Sequence, residues 1–262
     1  MRNISDELLK ELEAKGRLSV SEAAGRYFFT KLTGTSRKMI EGIVASEPLL
    51  GLDGDYIVIR KREPYDLETE ISTAKFAFID TETNFNNMRA VEIGIVLSEG
   101  PQETGRFSTL LNPVVGVDRE TLELTGIREE DIRRAPKFEE AWENIEPLLR
   151  GRVIAAHNLS FDRRVIAEEL GIAGIRFGGD APGICTLQFA RALLKRGQCS
   201  LDELSERFDL KEDGRHRALP DAGLCFKLFF RLVKYAEENK VVETSRLSHL
   251  AQFKALFPRL MF

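Results

Sequence analysis

Two carboxylates, Asp80 and Glu82, close the apolar run FAFIDTETN. On a β-strand, residues two apart share a face. Both acids then stand at the end of a buried strand. Like charges there repel and lose solvation unless a cation sits between them. An all-oxygen donor set suits a hard ion such as Mg²⁺ or Mn²⁺. Taken alone, the pair also fits an exposed acidic turn. A further acid, Asp162, lies in AAHNLSFDRRVIAEEL. Asn158 is placed to cap the helix that follows, which puts Asp162 in its first turn, with Phe161 directed into the core. A carboxylate interacting with the helix dipole is the alternative. The third segment, GRHRALPDAGLCFKLFFRL, holds His216 and Asp221. On one continuous helix these two are rotated apart by roughly 140°. Pro220 is best tolerated at the first helical position. Asp221 then falls in a first turn and His216 on the loop before it, so both converge on one point. A solvated basic loop before a capped helix has the same pattern.

Elements must exist to hold these residues. KFAFID, RAVEIGIVLSE and GRFSTLLN read as three successive strands, an antiparallel meander. Helical spacing follows at Arg119 to Leu124, Glu129 to Arg134 and Phe138 to Leu149. VIAAHN is another strand, and a helix runs from Leu159 to Leu170. CTLQFARALLK and SLDELSERF are further helices, and a long one runs from Pro220 to Glu238. A meander followed by strand–helix alternation is an α/β domain with a mixed sheet.

The first 62 residues form a module of their own. Helices are expected at Ser5 to Lys15, Ser21 to Tyr27 and Ser36 to Ser46, with Ser21 and Ser36 as N-caps. Asp53-Gly54 in LLGLDGDYIVIRK signals a hairpin. Three helices and a hairpin are the order of a winged helix-turn-helix. Lys31, Arg37, Lys38, Arg60, Lys61 and Arg62 are placed to face phosphates. The module holds only 11 bases against 9 acids, so protein docking or dimerisation stands beside DNA contact. The expected layout is a winged-helix-like module 1–62, an acidic linker 63–73, a domain 74–240, and a C-terminal helix or partner-binding tail 241–262.

Composition bounds the function. The 262 residues suffice for one large domain or two smaller ones. Acids outnumber bases, 42 to 38, for a net charge of −4, which argues against a protein that coats nucleic acid by bulk charge. Cys185, Cys199 and Cys225 show no paired spacing, as expected of buried thiols in a reducing compartment. No stretch is apolar enough for a membrane span, and MRNISDELLKELEAKG is too acidic for a signal peptide. The expected location is the cytoplasm.

The motifs occur in a fixed order: an apolar strand ending in DxE, a turn reading HNxxFDxxxxxEEL, and a helix start reading HRALxDA. In this the chain resembles the DEDDh branch of the 3′–5′ exonuclease superfamily, the group of the DNA polymerase III epsilon subunit, RNase T and oligoribonuclease. The resemblance covers roughly residues 74 to 240 and extends to AVEIG, LNP, LTGIREEDIRRAP, CTLQFARALL and SLDEL. It implies an RNase H-like mixed sheet flanked by helices. It implies two divalent ions, Mg²⁺ or Mn²⁺, held by Asp80, Glu82, Asp162 and Asp221. Asp80 would bridge them, Glu82 and Asp221 complete the nucleophile-side ion, and Asp162 serve the second. It makes His216 the general base, a role suited to an imidazole, which can take up a proton near neutral pH. Thr83, Phe85, Asn158, Phe161 and Arg217 are the expected substrate contacts, with Arg163, Arg164 and Arg215 as further phosphate candidates. Phe85 reads either as a base-stacking wedge or as a core aromatic. TETNFNN departs from the Thr-Gly that many relatives carry, which leaves nucleotide preference open. The implied reaction releases nucleoside 5′-monophosphates from single-stranded 3′ ends, with DNA favoured over RNA, in proofreading or repair. RNA 3′-end trimming and a catalytically silent nucleic-acid-binding protein are the competing readings. A polymerase or repair protein is the implied partner.

Overall fold

The structure, a computed structural model, describes residues 4–28, 31–46, 50–59, 69–175, 183–194, 199–241 and 244–251. The chain divides into two compact units, Met1–Tyr65 and Asp66–Phe262.

The first unit runs α1 (Ile4–Lys15), β1 (Arg17–Ser19), α2 (Val20–Phe28), α3 (Gly34–Ser46), β2 (Leu50–Asp53) and β3 (Tyr56–Ile59). Its antiparallel sheet has the order β1-β3-β2. Leu8, Leu12, Leu18, Val20, Ile40, Leu50 and Ile57 form its core. The hairpin turns at Gly54, whose φ of 59° suits a residue without a Cβ. β1 is absent from the sequence expectation, because three residues carry no periodicity and only pairing with β3 makes them a strand. The caps also differ from expectation. Ser19, not Ser21, caps α2: its hydroxyl accepts from Glu22 N at 3.1 Å while the Glu22 carboxylate accepts from Ser19 N at 3.0 Å. Thr33, not Ser36, caps α3, its hydroxyl accepting from Ser36 N at 3.2 Å. Arg37 is ion-paired with Glu41 and Asp55, at 2.9 and 2.7 Å. Arg60, Lys61, Arg62 and most of the expected linker lie outside the described residues.

The second unit opens with β4 (Lys75–Thr83), β5 (Ala90–Glu99) and β6 (Gln102–Leu110), then α4 (Arg119–Thr125), α5 (Glu129–Arg134) and α6 (Phe138–Leu149). It continues with β7 (Val153–Ala156), α7 (Leu159–Ala173), β8 (Gly183–Cys185), α8 (Thr186–Leu194), α9 (Leu201–Arg207), α10 (Ala218–Glu238) and α11 (Leu247–Ala251). The five strands lie in the order β6-β5-β4-β7-β8. The meander β4-β5-β6 is antiparallel, and β7 runs parallel to both β4 and β8. This is the expected mixed sheet flanked by helices. β8 was not expected, since its three residues run without a polar break into α8.

Strand alternation sorts the two faces. Ala77 and Ile79 of β4 pack in one layer with Trp142, Ile145 and Leu149 of α6 and Val165 of α7. Phe76 and Phe78 take the other face, against Phe226, Phe229 and Phe230 of α10, with ring centroids 5.3 to 6.2 Å apart. Each such ring removed from water contributes about 1.5–3 kcal/mol. The start of the C-terminal segment is docked: Ile71 N donates to Ser245 O at 2.9 Å, Leu247 N to Thr69 O at 3.1 Å, and Leu247 and Leu250 are buried. Residues 252–262 lie outside the described residues. Among the described residues, no helix is long and apolar enough to cross a membrane.

Candidate active site

The alternation that turns Phe76 and Phe78 toward α10 turns Asp80 and Glu82 the same way, farther along β4. The first turn of α10 brings Asp221 to them. Carboxylate oxygens of Asp80, Glu82 and Asp221 lie within 4.8 Å of one another. Thr81 points to the opposite face, where its hydroxyl donates to Asp162 Oδ1 at 3.0 Å. Asp162 sits in the first turn of α7, 2% exposed. It stands outside the three-acid cluster but near enough to act on the charge of Asp80.

Gly94 explains how α10 comes so close. It pairs with Asp80 across the β4–β5 ladder. A Cβ there would lie 2.3 Å from backbone atoms of Ala218 and Leu219, so only glycine lets the helix start rest on the strand. Two residues earlier, Glu92 fastens that helix start. Its carboxylate accepts from Ala218 N at 3.1 Å and from Nε and Nη2 of Arg217 at 2.9 and 2.8 Å. Glu169 of α7 makes the matching bracket, accepting from Arg89 at 2.8 and 2.9 Å and from Ala90 N at 2.9 Å.

The entry to α7 is fixed by His157. Its Nε2 donates to the Cys199 carbonyl at 2.9 Å and its Nδ1 accepts from the Thr186 hydroxyl at 2.9 Å, the one assignment in which the carbonyl only accepts. Burial pulls its pKa down to about 4, so it stays neutral and structural at pH 7. Asn158 occupies the cap position but does not cap. Its backbone is left-handed, φ 77°, whereas a capping side chain needs an extended backbone. Its Oδ1 accepts instead from Ser160 Oγ at 3.3 Å. The helix carrying Asp221 begins at Ala218, two residues before the expected start at Pro220. Pro220 is harmless there, because the first-turn nitrogens of a helix have no intrahelical acceptor.

The cluster carries more negative charge than its surroundings balance. Burial, then repulsion from Asp162 and Glu82, holds the Asp80 carboxyl well above the usual carboxylate range, with Arg215 opposing. Burial and the Glu92 charge push Glu82 up to about 6. Burial also raises Asp162, against the hydrogen bond from Thr81. Hard oxygen donors in this state fit a divalent cation. Arg215 is ion-paired with Asp221 and reaches Asp202 at 2.8 Å. Between Arg215 and Arg217 stands His216, exposed and left-handed with φ 60°. Arg217, expected at the phosphate backbone, is engaged by Glu92, although 39% of its side chain stays exposed. Thr83 is half-buried at the end of β4. Phe85 is 63% exposed, which removes the core-packing reading. Phe161 is half-buried against the core, with the Arg164 guanidinium 5.8 Å from its ring.

Sequence reasoning missed Glu92, Gly94, Glu169, Asp202 and the structural role of His157. AVEIG and EEL were visible strings, but their partners lie up to 126 residues away.

The family described as Exonuclease, of the RNase T type, matches residues 77–229. The chain is 30% identical over 198 residues to the DNA polymerase III PolC-type of Thermotoga maritima, covering 73% of this chain and 14% of that protein. It is 29% identical to DNA polymerase III subunit epsilon of Treponema pallidum, covering 63% of this chain and 79% of that one. A solved structure described as Exonuclease X in complex with 5′ overhanging duplex DNA superimposes with a TM-score of 0.55 at 23% identity, covering 69% of this chain and 98% of the other.

Proposed function

The chain belongs to the RNase T-type exonuclease family, and from that premise we propose that it removes nucleoside 5′-monophosphates from single-stranded DNA 3′ ends, in cytoplasmic proofreading or repair. The observation that carries this reading is the convergence of Asp80, Glu82 and Asp221 on one point. Asp80, Glu82 and Asp221 would hold one divalent cation, and Asp80 with Asp162 the second. Bound there, such ions, Mg²⁺ or Mn²⁺, favour the hydroxide form of water and offset charge at the phosphate and the leaving oxygen. An imidazole nitrogen of His216 takes the proton of the attacking water as the phosphorus–O3′ bond breaks. Thr83 and Phe85 border the terminal nucleotide, with Phe85 stacking on its base. Asn158 and Phe161 line the turn beside Asp162, and the open part of Arg217 meets a phosphate. DNA is favoured because the polymerase relatives are named for DNA.

The first unit has the order helix, strand, two helices and hairpin, which supports a winged-helix-like module. A polymerase or repair protein is the partner this reading expects.

The test is a 5′-labelled single-stranded DNA, a duplex with a mismatched end and a short RNA, each with Mg²⁺, Mn²⁺ or EDTA. The expected result is a ladder shortened one nucleotide at a time on DNA, lost with EDTA and with Asp80→Asn. Undiminished activity of the Asp80→Asn protein overturns it. Preferential shortening of the RNA replaces DNA trimming with RNA trimming.

A further inference from the structure

Glu92 is a buried carboxylate, 1% exposed, that the chemistry above leaves without a role. It stands directly opposite Glu82 on the neighbouring strand. A like charge at that position is unfavourable, and the family chemistry places no ion on it. What it does hold is one short stretch of chain. Its two oxygens accept three hydrogen bonds from consecutive residues, two from the Arg217 guanidinium and one from Ala218 N. Ser108 Oγ adds a fourth, at 3.3 Å. Arg217 is the residue after His216 and the cap position of α10. On the other side of His216, Arg215 is tethered to Asp202 and Asp221.

His216 itself makes none of these contacts, and its backbone is left-handed. A non-glycine residue persists in that region when its surroundings over-determine it. Here both flanking arginines are held, Arg215 by Asp202 and Asp221 and Arg217 by Glu92. The Arg217 tether ends on the rigid centre of the sheet, because Glu92 lies within β5 between β4 and β6.

We propose that Glu92 is a positioning residue for His216, acting through the Arg217 guanidinium and the Ala218 N–H. Its catalytic meaning rests on the exonuclease reading; its structural meaning does not. Glu92 fixes where the loop 211–217 enters α10 and so where the imidazole stands when a 3′ end is seated. The same carboxylate sets the height of α10, which carries Asp221, over β4. Arg217 is thereby first a tether and only secondarily a phosphate contact.

The test uses the full chain with Glu92→Gln, Arg217→Met and the double variant, each first checked for a cooperative melt. For mononucleotide release, Glu92→Gln is expected to lower kcat by about 10- to 100-fold while KM stays within about threefold, the signature of a misplaced catalytic group. Arg217→Met should lower kcat by a similar factor and raise KM as well, because it also removes the exposed phosphate contact. The double variant should fall no more than about threefold below the worse single, because both remove one coupling. Two readouts need no catalysis. Trypsin should cut after Arg215 faster in both single variants than in the wild type. The ring signals of His216, assigned in a ¹H–¹³C spectrum by their loss in His216→Gln, should broaden or move. If Glu92→Gln keeps kcat within about twofold, or the single effects multiply in the double variant, the positioning role is overturned. If the wild type releases no mononucleotide, the exonuclease reading falls. The tether then stands on loop protection and the His216 signals, and it falls if Glu92→Gln leaves both unchanged.

Discussion

Glu82 and Glu92 face each other across the β4–β5 ladder, yet only Glu92 has a bidentate arginine. Burial and that neighbouring charge hold Glu82 up to about 6, against an ordinary value of 4.5. A carboxyl raised in this way binds its proton more tightly folded than unfolded. The metal-free protein therefore loses stability as pH rises from about 4.5 through about 6, by about 2 kcal/mol for this group. Asp80 and Asp162, shifted in the same direction, add to the loss. Melting curves in EDTA should fall across that window, Glu82→Gln should flatten the fall, and Mn²⁺ should raise Tm most at the alkaline end. A Tm in EDTA that is level across the window contradicts the charge imbalance.

Asp80→Asn separates stability from activity. Removing the charge at the centre of the cluster should raise the Tm of the metal-free protein. It should also lower nucleotide release by about 1,000-fold, equivalent to about 4 kcal/mol of transition-state stabilisation. Calorimetric titration of Mn²⁺ should show weakened binding. A destabilised variant with normal Mn²⁺ affinity would assign Asp80 to the core instead.

Gly94→Ala tests the close approach of strand and helix. The added Cβ meets backbone, not a flexible side-chain end, at 2.3 Å. The helix start must move, at a cost of about 1–3 kcal/mol. Denaturant unfolding should show that loss, and Mn²⁺ affinity should fall with it as Asp221 is carried away from Asp80. An unperturbed Mn²⁺ titration would mean that α10 adjusts without moving its acid.

Thr81→Val removes the hydroxyl that supports Asp162. The carboxyl loses a donor in a buried setting, for about 1–3 kcal/mol, and its pKa rises further. The variant should need more Mn²⁺ for half-maximal activity, while Thr81→Ser stays close to wild type. Equal behaviour of Val and Ser would remove the hydrogen bond from the account.

Phe85→Ala probes a side chain that is 63% exposed. Tm should change little, since exposed positions of this kind move stability by about 0.5 kcal/mol or less. KM for single-stranded DNA should rise by about tenfold, the loss of one base–aromatic stack. An unaltered KM places the terminal base elsewhere.

The sequence made the acids legible because they interrupt strong periodic patterns. Asp80 and Glu82 stand out at the end of an alternating strand, and Asp221 stands out ahead of a long amphipathic helix. The mixed sheet followed from the order of strands and helices. The rest depended on pairing. Arg17 to Ser19 and Gly183 to Cys185 are too short to show a period and become strands only beside β3 and β7. Ser21 and Ser36 looked like caps because residue type alone cannot tell a cap from a first-turn position. Glu92 looked like the polar step of an alternating strand, and nothing near it in the chain announces Arg217. The structural role of His157 was hidden because its two partners, Thr186 and Cys199, lie 29 and 42 residues away in the chain.

The tether from Glu92 spans 125 residues of chain. The meander β4-β5-β6 can form from neighbouring segments as it leaves the ribosome, since its contacts are local. Asp80 and Glu82 are then already on one strand, but the third acid of the cluster is still unsynthesised. Only when α10 emerges and settles on Gly94 do Asp221 and the His216 loop join them. Until then Asp80 and Glu82 stand without Asp221 and the His216 loop, so the three-acid cluster is completed only once a segment far along the chain has been made.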